Sequence, residues 1–385
     1  MSNILSAGFM DSAPMVRVLG PADRRSANSS TPVLSLSHID RSFPRHWLEY
    51  SPSPIHSYIE HTERRLIELG ALSENDVAFR GYCGVPRYFH PRADGDALSL
   101  SLELICWYFT FDEPFDQGWL GGVGHPSGRS EVDRMLQVLE LGRLPTDPSS
   151  CERLCYSFLD RARNIGGGNT PAWVRFRDRC AAWVKSILPL NRRVRHSHLE
   201  LAEYNELRLA NVGIVAEYAL NEIIAGLDLD ESFVADPMVV RYGDLAALII
   251  AYCNDIYSYE RETIQCTQFN SVELRCSNHG LSLHEAFFAQ VEDIRAMVAE
   301  MVAIEDQLHS TGVLGYSQPN EEPGAARRRR HQTIYMEDIR AIVVGNHQWS
   351  LNDGRYDSLS SPFEELHHRA FLRRQDSETT AIPRY

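Results

Sequence analysis

The sequence predicts an all-α protein, and three observations carry that prediction. Apolar residues recur at helical spacing through most of the chain from about Ser53 onward. No convincing strand pattern and no internal repeat interrupts them. Several of the runs exceed the usual length of roughly 12 residues, and some are apolar on more than one face, as helices in a deep core or around a cavity must be. With 385 residues, 43 % of them hydrophobic, the chain can bury a large core as one large domain or two ordinary ones.

Taken in order, residues 1–35 mix Ser, Pro, Gly, Asp and Arg and read as a disordered or loosely attached tail. His56–Leu69 places Ile59, Leu66 and Leu69 among charges at helical spacing. Leu98–Phe111 is a dense apolar and aromatic run that feeds straight into acids. Arg134–Leu141, Cys151–Ile165 and Ala172–Leu188 read as further helices. His198–Ala225 is long, with Gly213 inside it and Gly226 placed to end it. Pro237–Thr263 and Ser282–His309 follow. Residues 310–331 scatter Gly and Pro among polar residues before the run Arg327–Arg330, which predicts a flexible surface loop. Ile334–Trp349 resumes the helix, and the charged segment 362–385 reads as a frayed C-terminal tail.

Net charge is −14. An acidic surface argues against nucleic acid and anionic membranes as partners, though not against an anionic small molecule held by local arginines and bound cations. The eight cysteines include no CxxC pair and no convincing zinc set, so they read as reduced thiols of an intracellular, cytoplasmic protein. No secretory signal is evident, and no stretch approaches the ~20 apolar residues of a membrane span.

Two motifs carry chemistry. In Phe111-Asp112-Glu113-Pro114-Phe115-Asp116, Asp112 and Asp116 are four apart and share one helical face. Two carboxylates aimed at one point repel unless a cation lies between them, and Mg²⁺ accepts one or two carboxylates plus phosphate oxygens. Pro114 deletes a helical hydrogen bond, so the helix is expected to bend or end there. In Asn254-Asp255-Ile256-Tyr257-Ser258-Tyr259-Glu260-Arg261-Glu262, the residues Asn254, Ser258 and Glu262 fall at i, i+4 and i+8. An amide oxygen, a hydroxyl and a carboxylate on one stripe suit a single hard cation. Each motif sits where an apolar wall meets polar residues; a solvated helix end is the plain alternative for both.

The segment NDIYSYERE resembles the Asn/Ser/Glu magnesium motif of class I terpene synthases, and DEPFD resembles a variant of their aspartate-rich motif, in the same order along the chain. Glu113 stands where the commoner form has Asp and is not assigned as a ligand; variants of this kind resemble those of fungal sesquiterpene cyclases. The resemblance covers roughly Ser53–Tyr356. It implies a single helical bundle around a deep apolar cavity, over residues 36–361, that holds three Mg²⁺ ions. It implies Asp112, Asp116, Asn254, Ser258 and Glu262 as metal ligands. Arg208, 46 positions before Asn254, matches the family's diphosphate-sensing arginine. The break at Gly213 then implies Val212 as the residue whose carbonyl faces the substrate. Of three Arg-Tyr pairs, Arg87-Tyr88 precedes both motifs and Arg384-Tyr385 is terminal. Arg355-Tyr356 follows the last long helix and is the pair implied to bind diphosphate, with Arg261 beside it. Tyr82, Trp107, Phe111 and Trp349 are candidate cavity aromatics, with a plain core role an equal reading.

The implied reaction is ionisation and cyclisation of farnesyl diphosphate by a monomer or homodimer, with geranyl and geranylgeranyl diphosphate as alternatives. A chain-elongating prenyltransferase would need a second aspartate-rich motif, and a non-catalytic scaffold would need the ordered elements to coincide by chance.

Overall fold

The computed structural model describes residues 34–116, 126–196, 199–264, 269–315 and 322–380. Among them the chain begins with α1 (Ser37–Asp40), α2 (Arg45–Leu48), α3 (Ser57–Glu68), α4 (Val77–Arg80), α5 (Val85–Phe89) and α6 (Gly95–Asp116). It continues through α7 (Pro126–Leu141), α8 (Ser150–Ile165), α9 (Pro171–His196), α10 (Leu201–Asn211), α11 (Ile214–Ile224) and α12 (Glu231–Val234). The last are α13 (Pro237–Ile264), α14 (Ser271–His279), α15 (Leu283–Ser310), α16 (Pro323–Asn352) and α17 (Glu364–Thr380). Extended pairing among these residues is limited to one bridge between Leu34 and Phe363. No described helix is long and apolar enough to cross a membrane.

Two helices form the axis of the bundle because their sequences are apolar all round. Leu98, Leu100, Leu102, Leu104 and Trp107 of α6 are fully enclosed, as are Leu245, Ala246, Ala247 and Ile249 of α13. A charge in α6 survives burial only by pairing: Glu103 meets Arg65 of α3 at 2.8 Å and also bonds Arg161 of α8. Helices α15 and α16 pack on α13, α3 and α8 on α6, and α7 and α11 on α9. One contact is backbone to backbone. A Cβ on Gly345 of α16 would lie 2.1 Å from the Tyr88 carbonyl oxygen of α5. Gly345→Ala is expected to destabilise the protein by about 1–3 kcal/mol; an unchanged thermal midpoint would show that α5 can back away freely.

Four expectations change. The loop set at 310–331 is too long, since α16 starts at Pro323 and carries Arg327–Arg330 inside it. Glu322 caps the helix by accepting from Ala325 N, Pro323 fits the first helical position, and Arg is a good helix former. Residues 316–321 lie outside the described set. Within the tail set at 362–385, Glu364–Thr380 is a helix fastened by buried Phe363 and Leu366; residues 381–385 lie outside the described set. The tail at 1–35 ends early, because Leu34 is buried and paired; residues 1–33 lie outside the described set. Finally, α6 does not stop at Pro114 but stays helical to Asp116, with Pro114 deleting a single backbone hydrogen bond; residues 117–125 lie outside the described set.

Candidate active site

The site forms where the C-terminal halves of α6 and α13 meet α10 and the loop after α16. Asn254 is its hub. Its Oδ1 accepts from Arg208 Nη2 at 3.1 Å, and its Nδ2 donates to the Tyr356 hydroxyl at 2.9 Å. Residues from α10, α13 and the loop after α16, far apart in sequence, thus meet on one side chain. The Ser258 hydroxyl donates to the Asn254 carbonyl at 2.7 Å, one turn along the same stripe. Two turns along, Glu262 accepts from Asn270 at 2.8 Å. Arg261 is exposed beside it.

Asp255 turns the other way and is fully buried. It accepts from Ser271 N at 2.8 Å, from the hydroxyls of Tyr204 and Ser271, and from Arg208 at 3.3 Å. Burial pushes its carboxyl up from the ordinary range, against the pull of Arg208, Ser271 and Tyr204. Asp255 therefore holds Arg208 from one side while Asn254 bonds it on the other. Asn270 joins the two halves of the motif, since its Nδ2 also bonds the Asp255 carbonyl while its Oδ1 caps α14. Sequence reasoning missed Asp255, Tyr204 and Asn270 as positioning residues. The signal for Asn270 was available: Asn followed three residues later by Glu273 marks a helix start.

Arg208 feels both motifs. Burial works against its charge, but Tyr204, Asp255, Glu262 and Asp112 outweigh that and hold the guanidinium more firmly protonated. The contribution of Asp112 brings the end of α6 into the same electrostatic site. The side chain of Asp116 lies outside the described set. Arg208 also lies 5.5 Å over the ring of Phe269. Arg355 lies 4.6 Å over the ring of Phe109. The Nε of each arginine is buried and donates to nothing among the described residues, so each offers an unspent donor to an anion.

The oxygen set fits a hard cation. Among the described residues no three His, Cys, Asp or Glu side chains could hold a metal. The stripe offers instead an amide, a hydroxyl and one carboxylate, a set that water and phosphate oxygens would complete. Glu262 is pushed up to about 7 by burial and by the charge of Asp255, with Asn270, Arg208 and Ser258 opposing. A carboxylate raised in this way binds a cation only after losing its proton. Affinity for Mg²⁺ should therefore fall about tenfold per unit below about pH 7 and level off above it. Calorimetric titrations between pH 6 and 8 read this directly, and Glu262→Gln should flatten the slope.

The helix break appears as expected. Gly213 has φ 74° between α10 and α11. Tyr108 donates to the Gly213 carbonyl and Trp183 to the Asn211 carbonyl, both at 2.9 Å, which leaves half-buried Val212 between two capped neighbours. The aromatics divide. Trp107 is wholly enclosed against Phe158 and Trp183, with Phe111 stacked on it, so Trp107 is core. Tyr82 stacks on Phe109 at 4.6 Å, beneath Arg355. Trp349 meets Tyr356 edge-on at 5.9 Å. These two flank the Arg-Tyr pair.

Comparison with known proteins supplies the family and the fold. Residues 103–300 match the model of terpene synthase family 2, C-terminal metal binding, so the matched domain is a divalent-metal site by family. The chain is similar to terpene synthase 1 of Acytostelium subglobosum, at 28% identity over 86% of this chain and 98% of that one. It is similar to terpene synthase 4 of Physarum polycephalum at 25% identity over 81% and 91%. Its fold is similar to that of germacradien-4-ol synthase from Streptomyces citricolor, with a TM-score of 0.64 at 17% identity over 77% of this chain and 96% of that one. A linalool/nerolidol synthase from Streptomyces clavuligerus in complex with 2-fluorogeranyl diphosphate gives 0.65 at 16% identity over 78% and 100%. The fungal likeness expected from DEPFD is not supported, because these relatives come from Dictyostelia, Physarum and bacteria; a four-residue acidic spacing is too short to carry ancestry. The chain belongs to the terpene synthase family and is by that membership a carbon–oxygen lyase.

Proposed function

We propose that the enzyme is a Mg²⁺-dependent sesquiterpene cyclase that ionises farnesyl diphosphate and releases diphosphate with a cyclic hydrocarbon or alcohol. The observation that carries this reading is the hub at Asn254, whose side-chain amide bonds Arg208 on one side and Tyr356 of the Arg-Tyr pair on the other. Asp112, Asp116, Asn254, Ser258 and Glu262 are the oxygens that would hold Mg²⁺, three ions in all, which when bound offset the charge developing on the leaving diphosphate. Arg208, Arg261, Arg355 and the Tyr356 hydroxyl donate to the same anion, preorganised by Asp255 and Asn254.

Loss of diphosphate leaves an allylic cation. The wall must then be apolar and aromatic, because a strong nucleophile would quench the cation early. Tyr82, Phe109 and Trp349 flank the Arg-Tyr pair, and aromatic faces can stabilise positive charge. By the family resemblance, the Val212 carbonyl at the break is the polar group that would face the hydrocarbon end. A solved structural neighbour holds 2-fluorogeranyl diphosphate, which supports a prenyl diphosphate as the substrate class. None of the seven described cysteines forms a disulfide, in keeping with a reducing, cytoplasmic setting.

Incubation with the ten-, fifteen- and twenty-carbon prenyl diphosphates and Mg²⁺, followed by gas chromatography, tests the reading. Cyclic fifteen-carbon products that vanish on chelation are expected. Products from the other lengths alone would move the substrate, elongated diphosphates formed with isopentenyl diphosphate would make the enzyme a prenyltransferase, and no turnover with no diphosphate binding would leave a scaffold.

A further inference from the structure

The C-terminal helix lies outside both metal motifs, yet it grips the segment that carries the Arg-Tyr pair. Asp357 directly follows Tyr356 and its side chain is only 4% exposed. It accepts from Arg369 Nε at 2.9 Å, and Arg373 Nε lies 3.1 Å from its other oxygen. The second contact is close but off-line, an ion pair without a hydrogen bond. At the other end of the same turn the Arg373 guanidinium lies flat on Gly354. A Cβ there would come within 1.9 Å of it, and φ is +76° besides, so only glycine admits this contact.

The grip has a fixed anchor. Glu365, Arg369 and Arg373 fall at i, i+4 and i+8, one stripe of α17. The first of them takes bonds from Ser35 Oγ at 2.6 Å and Leu36 N at 3.0 Å, beside the Leu34–Phe363 bridge. The other two hold Gly354 and Asp357. Beyond Asp357, Ser358 donates to Glu260 of the metal-motif helix at 2.9 Å. The four residues Gly354-Arg355-Tyr356-Asp357 are thus suspended between α17 and α13. The Arg355 Nε within them is buried and has no hydrogen-bond partner among the described residues.

We propose that α17 is the positioning element of the diphosphate-binding pair, acting through the clasp of Arg369 and Arg373 on Asp357 and Gly354. This rests on the reading of Arg355 and Tyr356 as diphosphate ligands. Neither clasp arginine touches the anion; each limits the orientations open to Arg355, so less freedom is lost when the anion binds. A helix that merely covered the core would leave anion affinity indifferent to its charged stripe.

The test is a double-variant cycle on the full chain, read as binding of inorganic pyrophosphate with Mg²⁺ by calorimetry. Arg369→Ala/Arg373→Ala should weaken binding roughly tenfold in the unaltered background and less than about twofold when Arg355→Ala/Tyr356→Phe is already present. Arg369→Lys/Arg373→Lys keeps the charges and should recover part of the loss. If the double alanine variant fails to fold, Arg373→Ala alone serves, since that side chain is 56% exposed. Equal losses in both backgrounds, or no loss in either, overturn the clasp. Failure of the unaltered protein to bind pyrophosphate would instead overturn the diphosphate site, and the clasp with it.

Discussion

Asn254→Ala and Glu262→Ala should each lower kcat by at least about a hundredfold, with the bundle still folded. Both remove an oxygen from the metal stripe, and each removes something more. Without the Asn254 amide, Arg208 and Tyr356 lose the side chain that joins them. Without Glu262, Asn270 keeps only its bond to the Asp255 carbonyl and its cap on α14. The second variant separates function from stability with opposite signs. Burial and Asp255 raise the Glu262 carboxyl above its unfolded value, so its ionisation as pH rises from about 4.5 to about 7 works against the fold. Glu262→Gln without metal should therefore melt at or above the unaltered protein at pH 8 while losing turnover. Wild-type turnover in either alanine variant would refute the metal assignment.

Arg355→Ala should cut kcat/KM by about a hundredfold, whereas deletion of Arg384–Tyr385 should cost less than about threefold. Three Arg-Tyr pairs compete for this role. Arg87-Tyr88 is spent on structure: Arg87 Nε donates to the Ser53 carbonyl at 2.9 Å, and the Tyr88 carbonyl accepts from Tyr50 while facing Gly345. Arg384-Tyr385 lies outside the described residues. Arg355-Tyr356 has the geometry, with an unspent buried Nε on one member and Asn254 on the other. Steady-state kinetics on the two variants rank them, and the reverse order would show that the terminal pair binds the anion.

The bundle was legible because its long helices carry strong periodicity. Leu98–Phe111 lies inside α6, Pro237–Thr263 ends one residue short of α13, and Gly213 and Gly226 both take positive φ where the chain turns. Two kinds of feature were not legible. Short or charged helices such as α14, α17 and the first turns of α16 owe their stability to caps and to partners distant in sequence, which a local window cannot see. The residues behind the site were hidden for the same reason. Asp255 looks like one more acid beside the motif until the fold sets Tyr204, Ser271 and Arg208 around it. The stripe Asn254, Ser258, Glu262 was readable because helical spacing alone aligns it, whereas the link from Asp112 to that stripe, through the charge of Arg208, needs the fold.

One bond at the hub sets an order of events. Arg208 Nη2 rests on Asn254 Oδ1, the oxygen the stripe would offer to a cation. A guanidinium and a divalent ion cannot share that oxygen at close range without strong repulsion. Arg208 must therefore give it up as the cation arrives, and an anion beside the cation is the natural place for its charge to go. Cation and diphosphate should then each bind weakly alone and tightly together, by the same factor whichever comes first. On the proposed function, the bond would act as an interlock: the full set of donors would be presented only to a substrate that brings its own counter-ions.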